Sequence, residues 1–394
     1  MSTKNTLIKL MLREASRVAK DHTLILSLLF APIFYAFFYG SIYINKTEKE
    51  VPIIIVDNDH SDASRTFIRM INESQIVEVA IVTEDINEAK SQFLHTKVQG
   101  IIHIPKNFEA DLKGIKGTDV KMFLNTSRFL PSNDINQTVH EIALIIGAGV
   151  RLKYYQMHGS NSTQSLDRAM PISIDDHTLF VLPSTYGGFL LPGLLLLILQ
   201  QTFLIGMTES IAREREQKTV GDWLKQSGGN LWKSIWGKSL FFLILYAAYS
   251  LFFHVVNYHV LDLPINGSIS LLVVLLTLFF LVLALFGTFF GTLFSKEIWA
   301  LQFFAFSSYP IFLASGYSWP LFTLNPVIQA FAFILPTTPV LEAYIGIVYK
   351  NASIIDIQYN LAHLLLLGVC YGGLAWWRMK KLSTLEMSTP SNEN

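Results

Sequence analysis

The stretch Glu209-Ser-Ile-Ala-Arg-Glu-Arg-Glu-Gln-Lys-Thr-Val-Gly-Asp-Trp-Leu224 is densely charged, and it is wedged between two apolar runs, 179–207 and 237–260. Each run exceeds the roughly 20 residues that a helix needs to cross a hydrocarbon core of about 30 Å. Both are therefore expected to be transmembrane helices, and the segment 209–236 between them lies at one membrane face. A basic, tryptophan-bearing loop in that position is where soluble machinery can push on a membrane protein.

Four further apolar runs, 24–44, 269–294, 298–317 and 355–377, complete an expected set of six spans. The patch 321–335 is too short to cross, is interrupted by Pro326 and is flanked by Pro320 and Pro336. It reads as a re-entrant element within 319–340, tolerable at membrane depth only if other protein buries its backbone. The first run, at 23–44, is too long for a signal-peptide core and has no small-residue cleavage site after it, so it should remain as an anchor.

Composition agrees with a membrane class: 51% of residues are hydrophobic and 15% charged, against about 25% charged in typical soluble domains. Mean hydropathy is +0.39. The 30 basic and 30 acidic residues cancel, so nothing indicates nucleic acid as a partner. The single cysteine, Cys370, excludes an intrachain disulfide and a cysteine-pair metal site.

Orientation follows from lysine and arginine in the short loops. Lys4, Lys9, Arg13, Arg17 and Lys20, then Arg213, Arg215, Lys218, Lys225, Lys233 and Lys238, then Lys296, then Arg378, Lys380 and Lys381 all fall on one side. The short loops of the other side hold only Lys350. Both termini, including the tail 379–394, are thus expected to be cytoplasmic. Trp223, Trp232, Trp236, Trp299, Trp376 and Trp377 fall at the expected inner boundary and Trp319 at the outer one, where amphipathic rings prefer to sit.

The segment 45–178 is polar and long enough to fold as an α/β extracytoplasmic domain. Strands are expected at 52–57, 76–82, 98–105 and 119–124, with helices at 62–72, 85–94, 107–113 and 133–157 between and after them. The polar linker 158–164 is expected to be mobile on its way back to the spans at 179–378. Asp57, Asn58, Asp59, His60 and Asp62 cluster after the first strand, and turn and helix-cap chemistry explains them more cheaply than a metal does.

This order of one span, an external α/β domain and five further spans resembles the ABC-2 type transporter permeases, in the branch with a large domain between the first two spans. Three stretches carry the resemblance: Ile53–Arg65 with Gly100–Phe108; Arg213–Leu224, where Lys218 replaces the family's usual glycine; and Ser315–Pro320 with Leu335–Pro339. It implies an export permease for a lipophilic or amphipathic cargo in a bacterial cytoplasmic (inner) membrane. It implies two copies, or one copy and a paralogue, powered by separate cytosolic ATPase subunits that hold the ATP and Mg. The chain itself is expected to bind no cofactor and no metal. Gly237-Lys-Ser239 resembles the end of a phosphate-binding loop, but Trp232 stands where its first glycine belongs.

On this reading the amphipathic start 1–22 and the segment 209–224 form the ATPase socket. Leu7, Ile8, Met11, Leu12, Ala15 and Val18 would give the start its apolar side. Arg213, Glu214, Arg215 and Glu216, with Lys218 and Thr219 beside them, would pair with ATPase charges, and Trp223 and Leu224 would give apolar contact. Pro310, Gly316, Trp319, Pro320, Pro336, Pro339 and Glu342 would shape the outer exit. A periplasmic adaptor protein and membrane lipid are further expected partners. Two alternatives stand behind this one. An ion-coupled secondary carrier would use His254, His363 and Glu342, although carriers usually place more ionisable groups in their spans. A receptor or scaffold would use the external domain to sense a ligand. A membrane enzyme has less support, since His254, His259 and His363 have no partner acid at useful spacing and His259 with Asp262 is the nearest pair.

Overall fold

The computed structural model describes residues 3–43, 49–159, 161–170 and 186–388. The chain divides into two compact units, residues 1–44 with 178–394, and residues 45–177.

In the first unit, α1 (Thr3–Val18) precedes a helical stretch in which α2 (His22–Ile25) runs through a π-helical turn (Leu26–Phe30) into α3 (Ala31–Tyr43). Asp21 starts that stretch, its carboxylate accepting from the backbone of Thr23 and Leu24. These bonds and Arg213 lower its pKa against the opposing effect of burial.

The second unit is built on a four-stranded sheet: β1 (Val51–Asp57), β2 (Val77–Thr83), β3 (Gly100–Ile104) and β4 (Lys121–Leu124), in the order β2-β1-β3-β4. The first three strands are parallel and β4 runs antiparallel on the edge. The isoleucine run of β1 is buried on both faces, as a parallel strand between helices must be. Ile53 and Ile55 pack with Phe67 and Ile71 of α4 (Asp62–Asn72) and with Ile135 and Val139 further along the chain. Ile54 and Val56 face α5 (Ile86–His95) on the other side. A short α6 (Phe108–Lys113) and the long α7 (Phe129–Met157) complete the first face.

The strands and helices expected between 52 and 157 are all present, with ends shifted by a few residues. Within the linker expected at 158–164, a helix begins at Ser162. Asn161 caps α8 (Ser162–Ala169) by accepting from the backbone of Gln164.

The first unit resumes with α9 (Tyr186–Glu216), α10 (Val220–Gln226), α11 (Leu231–Phe252), a π turn leading to α12 (Tyr258–Val260), and α13 (Ile269–Gly291). Then follow α14 (Glu297–Ala314), α15 (Pro326–Phe333), α16 (Thr337–Val348) and α17 (Gln358–Ser388). The start expected for the second span, 179–185, lies outside the described residues.

Among the described residues, five helical stretches are long and apolar enough to cross a membrane: His22–Ile42, Gly187–Glu216, Leu231–Val260, Ile269–Gly291 and Gln358–Thr384. The count of six is therefore not reproduced by single helices. The expected fifth span is α14, which at 18 residues is about 27 Å long at 1.5 Å per residue and carries Glu297 and a mid-helix Pro310. The expected re-entrant patch is the pair α15 and α16, bent by 79° at the turn holding Pro336, and this pair counts as a sixth crossing only if both halves form one span.

Two boundaries also move. The third span begins at Leu231 rather than 237, because Asn230 caps it through the backbone of Lys233. The expected tail from 379 is helical as far as Ser388.

The core of this unit is drawn mainly from apolar residues of α9, α11, α13 and α17. Gly287 and Gly291 of α13 lie against Met207 and Ile211 of α9, where a Cβ at Gly291 would come within 2.9 Å of Ile211. Small residues at this spacing let the two backbones approach, as membrane helices do when lipid removes the hydrophobic drive between them.

Candidate functional site

The end of α9 enters a charged cluster whose side chains come from three helices, α1, α9 and α11. Glu214 is fully buried and accepts from Arg13 Nη2 of α1 at 3.0 Å, and it also pairs with Arg17. Lys238 of α11, 1% exposed, reaches Glu14 of α1 at 2.6 Å and Glu214 at 3.1 Å. Thr219 donates to Glu214, and Ser210 donates to Glu14. Two carboxylates thus face three cations, and each oxygen of the pair is engaged. That is the condition under which a buried ion cluster offsets its desolvation cost.

The packing that brings these groups together is local. Gly237, beside Lys238, leaves room for Leu10 of α1, whose Cδ1 would stand 2.5 Å from a Cβ built there. The buried line of α1 runs through Leu10, Glu14 and Val18, while Ile8 and Leu12 are exposed. Of the side expected to lie along the membrane surface, Ile8 and Leu12 are open and Val18 is buried in the chain, and the inward line adds Leu10 and Glu14, which that expectation did not name.

The α9–α10 turn continues the cluster. Trp223 is 1% exposed, donates from Nε1 to the Ser234 carbonyl at 3.3 Å, and lies under Lys238 Nζ at 5.1 Å from its ring centre. Leu224 is buried as well, and Ser227 and Ser234 share a hydrogen bond of 2.6 Å. Lys218 adopts a left-handed backbone, φ 57°, at the position where the resemblance places glycine.

A second group of contacts ties α9 to α14 and α17. Arg213 pairs with Asp21 and with Glu297. Arg215 donates to the Thr292 carbonyl at 2.9 Å and to that of Phe294, and Arg378 donates to the same Thr292 carbonyl. Glu216 accepts from the Glu297 backbone at the start of α14.

The side chains expected to meet an ATPase are therefore mostly turned into the chain. Arg213, Glu214, Arg215, Trp223 and Leu224 bind or pack within it, and Glu216 spends an oxygen on a helix cap. The exposed face of the segment keeps Glu216 and Lys218 of the expected set and adds Gln217, Asp222, Lys225 and Gln226. Glu14, Asp21, Ser210, Lys238 and Glu297 were missed by sequence reading. Lys238 had one available signal, an ionisable residue at the start of an apolar helical run.

The expected exit residues form two sites. Gly316, φ 85°, makes the turn after α14, with Trp319 and Pro320 exposed beside it. Pro336 and Pro339 are buried at the α15–α16 bend. Glu342 is exposed and accepts from Asn360 at 2.8 Å.

His254 lies 2.7 Å from the Ser250 carbonyl and 2.7 Å from the Tyr344 hydroxyl, and His363 bonds the Phe333 carbonyl at 2.8 Å. In the second unit Asp57 accepts from the backbones of Asp59 and His60 and from Ser64, and Ser61 caps α4. Asp59 accepts from the Glu109 backbone. Turn and cap bonds thus occupy this acidic cluster.

Several apolar helices long enough to cross a bilayer, fastened to a surface helix by a buried ion cluster, define a multi-pass helical membrane protein. The chain belongs to the ABC-2 family of transporter proteins, whose family profile matches residues 22–377. That family places it among transporter permeases, which in general work with an ATP-binding cassette ATPase. A search of curated proteins returns no match.

Proposed function

We propose that this chain is the permease subunit of an ATP-binding cassette exporter that moves a lipophilic or amphipathic substrate out of the cytoplasm or inner leaflet. It would sit in a bacterial cytoplasmic membrane with both termini inside and residues 45–178 outside. A second copy or a paralogue completes the path, and a separate ATPase holds the ATP and Mg.

The observation that carries this reading is the buried Glu14–Lys238–Glu214–Arg13–Arg17 cluster. It joins the surface helix α1, the foot of α9, the α10 segment and the foot of α11, so a push on the exposed face of α10 is delivered to two spans together. A passive anchor has no use for such a joint. The coupling residues therefore act in two layers: Lys218, Asp222 and Lys225 meet the ATPase, while Arg213, Glu214, Thr219 and Trp223 transmit.

Two buried side chains support a second conformation. Gln201 of α9 and Asn257 after α11 are nearly fully buried, and neither polar end of either side chain is paired among the described residues. Unpaired buried amides are costly. A state that wets or pairs them would recover that cost, as alternating conformations of a permease require. His254 and His363 each hold hydrogen bonds within the chain, which favours this reading over an ion-coupled carrier.

The test is co-purification from native membranes in mild detergent, with partners identified by mass spectrometry. An ATPase subunit should be recovered with the wild type and lost with Asp222→Lys/Lys225→Glu. With Glu214→Gln it should still be recovered, but with ATP hydrolysis uncoupled from transport. Purification of the chain alone in several detergents would end the exporter reading.

A further inference from the structure

The second unit holds a cavity that neither the cluster nor the transport reading uses. It lies between α7 and the arm running from α6 to β4 and encloses about 420 Å³, within the range of about 300–1,000 Å³ common to small-molecule sites. Its lining is mixed, with an apolar part made by Phe108, Leu112 and Met122 and by Val139 and Ile146 of α7, and a polar part that includes Thr118 and His140. Lys116 and Arg151 also line it, with one carboxylate, Asp119. Among the described residues no ion pair engages the Lys116 or Arg151 side chain.

Gly147 adds a second observation. It lines the cavity from the middle of a 29-residue helix, and a Cβ built there meets nothing within 4 Å. Glycine at such a place lowers helix propensity and leaves backbone bare to the cavity.

We propose that this cavity binds a small amphiphile, its apolar body against Phe108, Leu112 and Ile146 and a single anionic head group beside Lys116 and Arg151. An apolar part beside a few placed polar groups suits a small-molecule site, and two cations without an ion pair among the described residues, against one carboxylate, set the sign of the head group. The site stands on this unit alone and does not depend on the exporter reading.

The experiment uses the full chain in zwitterionic-lipid nanodiscs with a diazirine-tagged long-chain fatty acid as probe, followed by irradiation and peptide mapping. Saturable labelling is expected on peptides covering 108–122 and 139–151, competed by unlabelled dodecanoate. Lys116→Glu/Arg151→Glu should weaken it by about tenfold or more, the scale of losing charge-assisted bonds. The methyl ester of the probe should label the wild type as weakly as the acid labels that variant. Gly147→Leu fills the space while raising helix propensity, so it should abolish the labelling without lowering the unfolding temperature. Labelling confined to the spans, equal labelling by acid and ester, or saturable labelling that survives Gly147→Leu would overturn the proposal. None of these outcomes involves the ATPase.

Discussion

The α9 bundle is fastened by full charges at one end and by neutral hydroxyls at the other. Around its foot, Glu214 and Glu14 share Lys238, Arg13 and Arg17. Around its start, Tyr317 donates to the Phe189 carbonyl and Tyr349 to that of Gly188, while Tyr344 bridges His254 and Tyr258. Opening the first arrangement strands a desolvated charge, whereas opening the second costs about 0.5–1.5 kcal/mol for each neutral bond exchanged. The charged end is therefore expected to resist opening more than the tyrosine end.

The sharpest way to break that contrast is to remove the lysine. Lys238→Met leaves Glu14 buried without its cation, and loss of one partner from a buried pair costs about 3–5 kcal/mol. Thermal unfolding of the detergent-solubilised protein, followed by tryptophan fluorescence, should show the largest drop of any single substitution considered. The double variant Lys238→Met/Glu14→Gln should lose less than the single one, since the stranded charge is gone and Ser210 still has a partner. A single variant no worse than Tyr344→Phe would mean that the cluster is hydrated and that the two ends do not differ.

Arg213→Ala comes next. This arginine is only partly buried and joins Asp21, at the cap of α2, to Glu297, at the start of α14. Bonds to charged groups contribute about 1.5–3 kcal/mol when desolvated, and partial exposure of this site places the loss at about the lower end. Raising salt should shrink the difference between variant and wild type, while the Lys238 effect should hardly move, because screening reaches exposed charges and not buried ones.

How far these features could be read from sequence follows from which forces wrote them. The β1 run Ile53-Ile54-Ile55-Val56 was legible because a parallel strand buried on both faces has no other way to be written. The helix starts at Ser61 and Asp85 were legible because capping is local. Glu14 was not legible. An apolar-stripe reading of α1 puts every charged residue outside, and the true inward line passes through a glutamate only because Lys238 waits on another helix, 224 positions away. Lys238 was misplaced for a related reason, since hydropathy starts the third span at 237, whereas the Asn230 cap extends the helix backwards by a turn and a half and draws the lysine inside. The α10 segment was rightly singled out as charged, yet charge alone does not say whether a side chain faces a partner or its own chain.

At the tyrosine end the smaller effect is expected. Tyr344→Phe removes the hydroxyl shared by His254 and Tyr258 with little change of volume, and should cost about 0.5–1.5 kcal/mol in the same unfolding measurement. If opening of this end belongs to the working cycle, the variant should also shift the balance between conformers. Exchange of the Tyr258–Leu263 backbone with deuterium would report that shift as faster labelling. A loss as large as that of Lys238→Met would show the tyrosine end to be as rigid as the charged one.

The smallest effect has the opposite sign. Lys218 follows α9 at φ 57°, where its backbone N–H bonds the Arg215 carbonyl and that of Thr219 returns to Glu214, closing the helix over the charged cluster. An L-residue held in this left-handed region is strained by about 1–2 kcal/mol, and glycine is not. Glycine also gains freedom in the unfolded chain, which offsets part of the benefit. Lys218→Gly should therefore stabilise the protein by up to about 1 kcal/mol, read as a small rise in unfolding temperature. Its exposed ammonium makes no bond in the chain among the described residues, so nothing is lost within the fold. If the lysine is retained for its charge towards an ATPase, the same variant should bind that subunit more weakly while unfolding later. That pairing of outcomes separates a residue kept for contact from one kept for structure, the distinction that Glu214, on the same turn, resolves the other way.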